Sequence, residues 1–120
     1  SSAVKTIDRI IDVFPAGQKS QIRSMLSESL VAIIAQKLLK NKEGDGRVPA
    51  SEVLIANSAI KNLIREDKIY QIPSLIQSGS QEGMHTLDQD LQRLLSKGSI
   101  DRDDAIKIAE DPDTFKKGIF

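Results

Sequence analysis

Apolar side chains recur at every third or fourth position along most of this chain, which is the spacing of helices that bury one face. The first such segment covers residues 3–14 and stops at a Pro and a nearby Gly. A second covers residues 18–36, and its continuous apolar run over 30–35 predicts a helix that is covered on two sides. Further helices are predicted after a pair of capping residues, over 59–66, 69–77, 86–97, 101–109 and 112–119.

One interruption of the helical pattern predicts a β-hairpin. Residues 41–46 are polar and contain two glycines, as the tip of a hairpin requires, and they separate strand-like segments over 37–40 and 47–55. Pro49 cannot donate a hydrogen bond to a ladder, so we expect the second strand to lie at a sheet edge or to pair only after this residue. With 120 residues, the chain is one domain or a piece of one. The predicted fold class is mainly α with one β-hairpin.

Composition excludes several classes of function. The chain carries 17 basic and 17 acidic residues and few aromatic ones, so it has neither the basic surface nor the stacking platform of a nucleic-acid-binding protein. It has no Cys, which rules out disulfides, a thiolate nucleophile and a Cys-ligated zinc site. No apolar run approaches the roughly 18 residues that suggest a membrane span. Because the chain has neither Cys nor a signal-peptide pattern, a reducing, cytosolic location is expected.

The residues taken alone show no complete active site. The phosphate-binding sequence G-x-x-x-x-G-K-[ST] is absent, and the glycines of residues 44–46 are interpreted as a turn. His85 is the only histidine, and we expect a surface or capping role for it. The acidic residues of 101–104 are interpreted as the start of a helix rather than a metal site. We therefore predict no catalytic, cofactor-binding or metal-binding residue in this chain.

The most informative segment is the octet formed by residues 59–66, which divides into two helical faces. Four members are predicted to pack inward, namely Ala59, Ile60, Leu63 and Ile64. Four are predicted to face outward, namely Lys61, Asn62, Arg65 and Glu66. This pattern alone is explained by an ordinary amphipathic helix whose polar face is in contact with solvent.

The octet Ala-Ile-Lys-Asn-Leu-Ile-Arg-Glu resembles the signature A-I-R-N-L-I-R-E of the type IV pilus retraction ATPases, the PilT-type twitching-motility motors. The similarity continues, in order and spacing, through residues 10–15, 21–23, 36–39, 46–54, 72–79 and 83–91, so it covers nearly the whole chain. The last of these stretches is a second family motif that includes Gly83, Met84 and Thr86. Two departures are visible, because Lys61 replaces the usual Arg and His85 stands where Gln is common.

The resemblance implies that the chain is the C-terminal portion of a RecA-like α/β P-loop ATPase domain. Residues 1–57 would be the end of that core, with two helices and the hairpin, and residues 58–120 would be a C-terminal helical cap. The Walker A, Asp box, Walker B and His box motifs would all lie upstream. The longer protein to which this chain would belong, called the parent below, is thus expected to hydrolyse Mg-ATP. This chain alone is expected to be inactive.

The resemblance also implies partners and a location for the parent. It would assemble as a homo-hexamer and act on a platform protein at the pilus base, at the cytoplasmic face of the inner membrane, which it would reach through partners. The octet would be the motor-coupling interface. The hairpin tip lacks the four-Cys zinc knuckle usual in pilus-extension ATPases, which favours the retraction branch.

A stand-alone helical adaptor without ATPase activity is the alternative. A Walker A motif upstream of Ser1 would support the motor, and a start codon near Ser1 would support the adaptor. If the motor is correct, the apolar run over 30–35 lies against the parent's sheet, and the isolated chain exposes it as an apolar patch.

Overall fold

The computed structural model describes residues 1–116, which form short helices around one two-stranded antiparallel sheet. The order along the chain is α1 (Ser2–Asp12), α2 (Lys19–Ser29), β1 (Ala32–Lys40), β2 (Arg47–Ile55), α3 (Ser58–Arg65), α4 (Ile72–Gln77), α5 (Leu87–Ser96), α6 (Arg102–Ile108) and α7 (Pro112–Lys116). The predicted fold class is confirmed. Part of the last predicted helix, residues 117–119, lies outside the described residues.

The prediction of a helix up to residue 36 is wrong. Helix α2 ends at Ser29, Leu30 is extended with φ −68° and ψ 131°, and residues 32–36 belong to strand β1. A short continuous apolar run is compatible with a buried helix or a strand, and periodicity cannot separate the two. The deciding feature is the β-branched content of Val31, Ile33 and Ile34, since β-branched side chains fit a pleated strand better than a helix.

The hairpin is regular, with β1 and β2 paired from Ala32 opposite Ile55 to Lys40 opposite Arg47. On the outer side of β2, the backbone of Val53 exchanges two hydrogen bonds with His85, at 2.9 and 3.2 Å. Alternate residues of a strand point their backbone groups to the same side, so the Pro49 nitrogen also faces outward. Its missing N–H therefore removes no bond between β1 and β2, as the predicted edge position requires.

Two buried clusters hold the chain together, and the hairpin contributes to both. The first packs α1, α3 and α4 against the end of β2, with Ala3, Ile7, Ile11, Leu54, Ile60, Ile64, Ile72, Ile76 and Met84. The second packs α5 to α7 against the middle of the hairpin, with Leu39, Ala50, Leu87, Leu91, Leu94, Ile100, Ala105 and Phe115. The division at residue 57 stays a prediction about the parent.

One face of β1 carries exposed apolar side chains. Ile34 is 71% exposed and Leu38 is 58% exposed, and Val31, just before the strand, is exposed as well. No strand pairs with the outer edge of β1 within residues 1–116. The apolar run over 30–35 thus exposes apolar side chains as expected, although from a strand rather than a helix.

Candidate functional site

Specific hydrogen bonds of Asn57 fix the start of the octet helix α3. At its start, the Asn57 side chain accepts a hydrogen bond from the Ile60 N–H at 2.9 Å, which caps the helix. The Asn57 amide donates to Glu82 at 2.7 Å. This contact joins the start of the octet to the turn that precedes the second family motif.

The two predicted faces of the octet are largely present. Ile60 and Ile64 are fully buried, and Leu63 is partly buried against the same cluster. Ala59 is exposed, so the prediction that it packs inward is wrong. It lies on the Leu63 side of the helix, where both residues line a groove, and Leu63 also contacts the first cluster.

On the outer face, Asn62, Arg65 and Glu66 are exposed and Lys61 is half-buried. The Arg65 guanidinium donates to the Asn62 side chain at 3.1 Å. Glu66 lies 3.7 Å from the Lys68 ammonium instead of pairing with Arg65. The octet therefore presents a preformed Asn–Arg unit and a carboxylate to solvent, all on a helix whose inner face is rigidly packed.

An open groove of about 540 Å³ runs beside the octet, between α3 and α4. Ala59, Leu63 and Leu75 provide its apolar lining, and Tyr70 stands at its rim with 72% of its surface exposed. Asn62 also borders the groove, so one octet side chain contributes to both the polar face and the groove.

The three residues of the second motif have local structural roles. Gly83 has φ +89°, a conformation that favours glycine, and ends the turn Ser80–Glu82. Met84 is buried against Gly79, where an added Cβ would lie 2.5 Å from the Met84 Cε and 2.9 Å from the Leu75 carbonyl oxygen. Thr86 caps α5 in a reciprocal capping box with Gln89. The motif thus shapes the connection between the two buried clusters.

His85 belongs to a polar cluster at the junction of β2 and α5. Its Nε2 lies 3.0 Å from the Ser51 Oγ and 4.0 Å from the Asp90 Oδ1. A Ser-His-Asp catalytic triad requires the Ser and the Asp at opposite ring nitrogens, whereas here both face Nε2. The cluster therefore does not form such a triad, and His85, whose side chain is 33% exposed, lies at the surface while its ring and its backbone both contact β2.

Asp90 is the centre of this cluster. Its carboxylate accepts hydrogen bonds from the Ser51 N–H at 2.8 Å and from the Arg93 Nε at 2.7 Å. Burial of the carboxyl opposes its ionisation, but the Arg93 and Ser51 hydrogen bonds and the nearby positive charge outweigh burial, and the pKa of Asp90 is lowered.

Sequence reasoning missed two buried acids, Asp90 and Glu52. Glu52 is 3% exposed, and its carboxylate accepts hydrogen bonds from the Ser1 hydroxyl at 2.7 Å and the Ala3 N–H at 2.8 Å. It thereby fastens the start of α1 to β2. The available signal was alternation, since Glu52 shares a strand face with the buried Ala50 and Leu54.

Within residues 1–116, no group of three or more His, Cys, Asp or Glu side chains could hold a metal ion. In the same part of the chain, no helix combines the length and apolar content needed to cross a membrane.

No protein-family model matches the chain. Individual proteins of one kind do match it. It is 59% identical over 100 residues to a twitching motility protein of Neisseria gonorrhoeae, across 83% of this chain and 27% of that protein. It is 54% identical over 115 residues to the type IV pilus retraction ATPase PilT of Pseudomonas aeruginosa, across 96% of this chain and 33% of the relative.

A solved structure agrees with these relatives. The crystal structure of the pilus retraction motor PilT with bound ADP superposes with a TM-score of 0.82 at 43% identity, over 95% of this chain and 31% of that one. The chain thus spans about a third of the length of the proteins it matches. The chain is therefore a homologue of the PilT-type pilus retraction ATPases over the segment that it shares with them.

Proposed function

We propose that this chain is the C-terminal segment of a hexameric ATPase that powers type IV pilus retraction. The observation that carries the proposal is the 54% identity to a pilus retraction ATPase over 96% of this chain. The fold agreement with the retraction motor PilT also supports it. Because the chain spans a third of these relatives, the activity is proposed for the parent protein and not for the 120 residues alone.

The nucleotide site of the parent is proposed to lie upstream of residue 1. The solved PilT motor binds ADP, whereas this sequence contains no phosphate-binding loop. Mg-ATP is therefore the proposed cofactor of the parent, and its phosphate-binding loop is proposed to lie outside the present segment. A Walker A motif in the upstream reading frame would agree with this assignment, and its absence would favour the stand-alone adaptor.

The hairpin is proposed to complete the RecA-like core of the parent, as the division into residues 1–57 and 58–120 requires. The open outer edge of β1 and the exposed Ile34 and Leu38 support this proposal. An unpaired apolar strand edge is prone to aggregation unless another element covers it. The upstream part of the same polypeptide is the occupant that we propose.

The octet is proposed to be the surface through which the motor acts. Asn62, Arg65 and Glu66 are exposed on a helix that is capped at its start and packed on its inner face. A rigid helix with an exposed polar face is suited to transmit force to another surface. The proposed partner is a neighbouring subunit or the platform protein at the pilus base, on the cytoplasmic side of the inner membrane.

The test is the double substitution Arg65→Ala and Glu66→Ala in the full-length parent. Both side chains are exposed, so folding, hexamer formation and ATP hydrolysis are expected to stay near wild type. Twitching motility is expected to be lost.

The matched control is Asp103→Ala with Lys107→Ala, which removes an exposed acid and an exposed base from α6. This control is expected to twitch normally. Wild-type twitching in the octet variant would leave only an amphipathic helix and would refute the coupling role.

A further inference from the structure

The octet ends in an unusual way for a helix without glycine at its C-terminus. The Asp67 N–H donates to the Ile64 carbonyl at 3.3 Å, and the Lys68 N–H donates to the Leu63 carbonyl at 2.8 Å. These two bonds form a Schellman motif, in which the residue after the helix adopts the left-handed conformation. That residue is Asp67, with φ +61°, and it is the one non-glycine residue with positive φ in the described part of the chain.

Glycine is the usual residue at this position because it adopts left-handed angles without strain. An Asp here is less favourable for the backbone than glycine, but unlike glycine it carries a carboxylate that can contact a neighbouring element. The Asp67 Oδ1 lies 3.4 Å from the Nε of Arg23, in the middle of α2. The carboxylate thus connects the end of the octet to the neighbouring helix.

Asp67 supplies the carboxylate that forms an ion pair with Arg23. The Arg23 side chain is only 20% exposed, and its buried Nε has no hydrogen-bond partner within residues 1–116. Asp67 is 63% exposed, so this ion pair orients the two side chains while contributing little to stability. The charges at the end of the octet engage elsewhere, since Arg65 binds Asn62 and Glu66 lies beside Lys68. Asp67 is therefore the acid that faces Arg23.

After α2 the chain turns at Leu30 and enters β1, the strand that we assign to the motor core. We propose that Asp67 is a positioning residue, held by Arg23, that fixes the last turn of the octet relative to the motor core. This inference rests on the proposed coupling role of the octet. It assigns to a residue outside the octet the task of holding Arg65 and Glu66 in place.

The test separates this role from a simple helix cap. Asp67→Gly keeps the left-handed turn and relieves its strain, and Asp67→Asn keeps the shape of the side chain, but both remove the charge. In the full-length protein both variants are expected to retain wild-type melting temperature within a few degrees, hexamers and ATPase rate. Twitching is expected to fall at least about tenfold.

A local measurement accompanies the motility assay. Amide hydrogen exchange at positions 67 and 68 is expected to be about tenfold faster in the Asp67→Asn variant than in the wild type, because the turn is no longer held to α2. Arg23→Gln is expected to reproduce the loss of twitching, and Arg23→Lys, which keeps the charge, to restore much of it. Asp12→Asn removes a similarly exposed carboxylate that binds Lys19 at the start of α2, and it is the matched control with no expected effect.

The outcomes distinguish this inference from the function on which it rests. If Asp67→Gly and Arg23→Gln twitch normally while the Arg65/Glu66 variant does not, the positioning role is overturned and the coupling role stands. Equal loss of twitching with Arg23→Lys and Arg23→Gln would overturn a role based on charge. Normal twitching of the Arg65/Glu66 variant would overturn both proposals.

Discussion

Ser51 donates its backbone N–H to the Asp90 carboxylate across 2.8 Å, and this bond joins the outer edge of the hairpin to α5. The same carboxylate accepts from Arg93 one turn further along α5. Strand β2 contributes side chains to both buried clusters. The Ser51–Asp90 bond therefore attaches α5 to the strand that the two clusters share.

The first prediction concerns the dependence of stability on pH. The pKa of Asp90 is lower in the folded chain than in the unfolded chain, where it is about 3.9, so the unfolded chain binds the proton more tightly. The stabilisation is therefore complete above about pH 5 and is lost as the pH falls through the unfolded and then the folded pKa. Asp90→Asn is expected to lower the unfolding free energy by about 1 to 3 kcal/mol at neutral pH.

Chemical denaturation of the wild type and of Asp90→Asn at a series of pH values measures the difference in their unfolding free energies. The difference between wild type and Asp90→Asn is expected to be constant from neutral pH to about pH 5 and to shrink below about pH 4. Asp8→Asn, at an exposed position of α1, is the control. A difference that grew on acidification would contradict the direction of the Asp90 pKa shift.

The second prediction concerns nucleotide binding by the 120 residues alone. The sequence has no phosphate-binding loop, so the isolated chain is expected neither to hydrolyse Mg-ATP nor to bind it with micromolar affinity. Isothermal titration of the chain with Mg-ATP is the measurement. A dissociation constant near 1 μM, about 8 kcal/mol of binding free energy, would show a nucleotide site that the sequence does not reveal.

The third prediction uses the apolar face of β1. Ile34 and Leu38 are exposed, so replacing both with Lys is expected to change the stability of the isolated chain little. The variant is expected to associate less and to bind less hydrophobic dye. In the full-length parent the same substitutions are expected to impair folding, because they would place charges where we propose that the core sheet continues. A full-length variant as stable as wild type would argue against this docking.

The fold was predictable where one signal dominated. Helices α1, α3, α5 and α6 lie within two residues of their predicted bounds, because spacing and capping residues agree there. The error over residues 30–36 arose where nearly every residue is apolar, so that spacing carries no information and only β-branching favours a strand. The tip of the hairpin was correctly located because its glycines and polar residues are a local signal.

The site was predictable in its two faces but not in its long-range contacts. Ile60 and Ile64 are buried as the helical spacing requires. The contacts of Asn57 with Glu82, of Arg23 with Asp67 and of Ser51 with Asp90 each join residues that are 25 or more positions apart. Such pairs depend on how the helices pack, and no local pattern of residue types specifies them.

The last prediction compares two neighbouring octet residues, Leu63 and Ile64. Ile64 is fully buried, so Ile64→Ala is expected to cost about 2 to 5 kcal/mol, because the substitution leaves a cavity in the first cluster. Leu63 is only partly buried and lines the open groove, so Leu63→Ala is expected to cost less, about 1 kcal/mol, since less surface returns to water. Urea denaturation of both variants gives the two values. If Leu63→Ala were the more costly substitution, the rotation of the octet helix would differ from the one described, with Leu63 toward the core and Arg65 and Glu66 on another side.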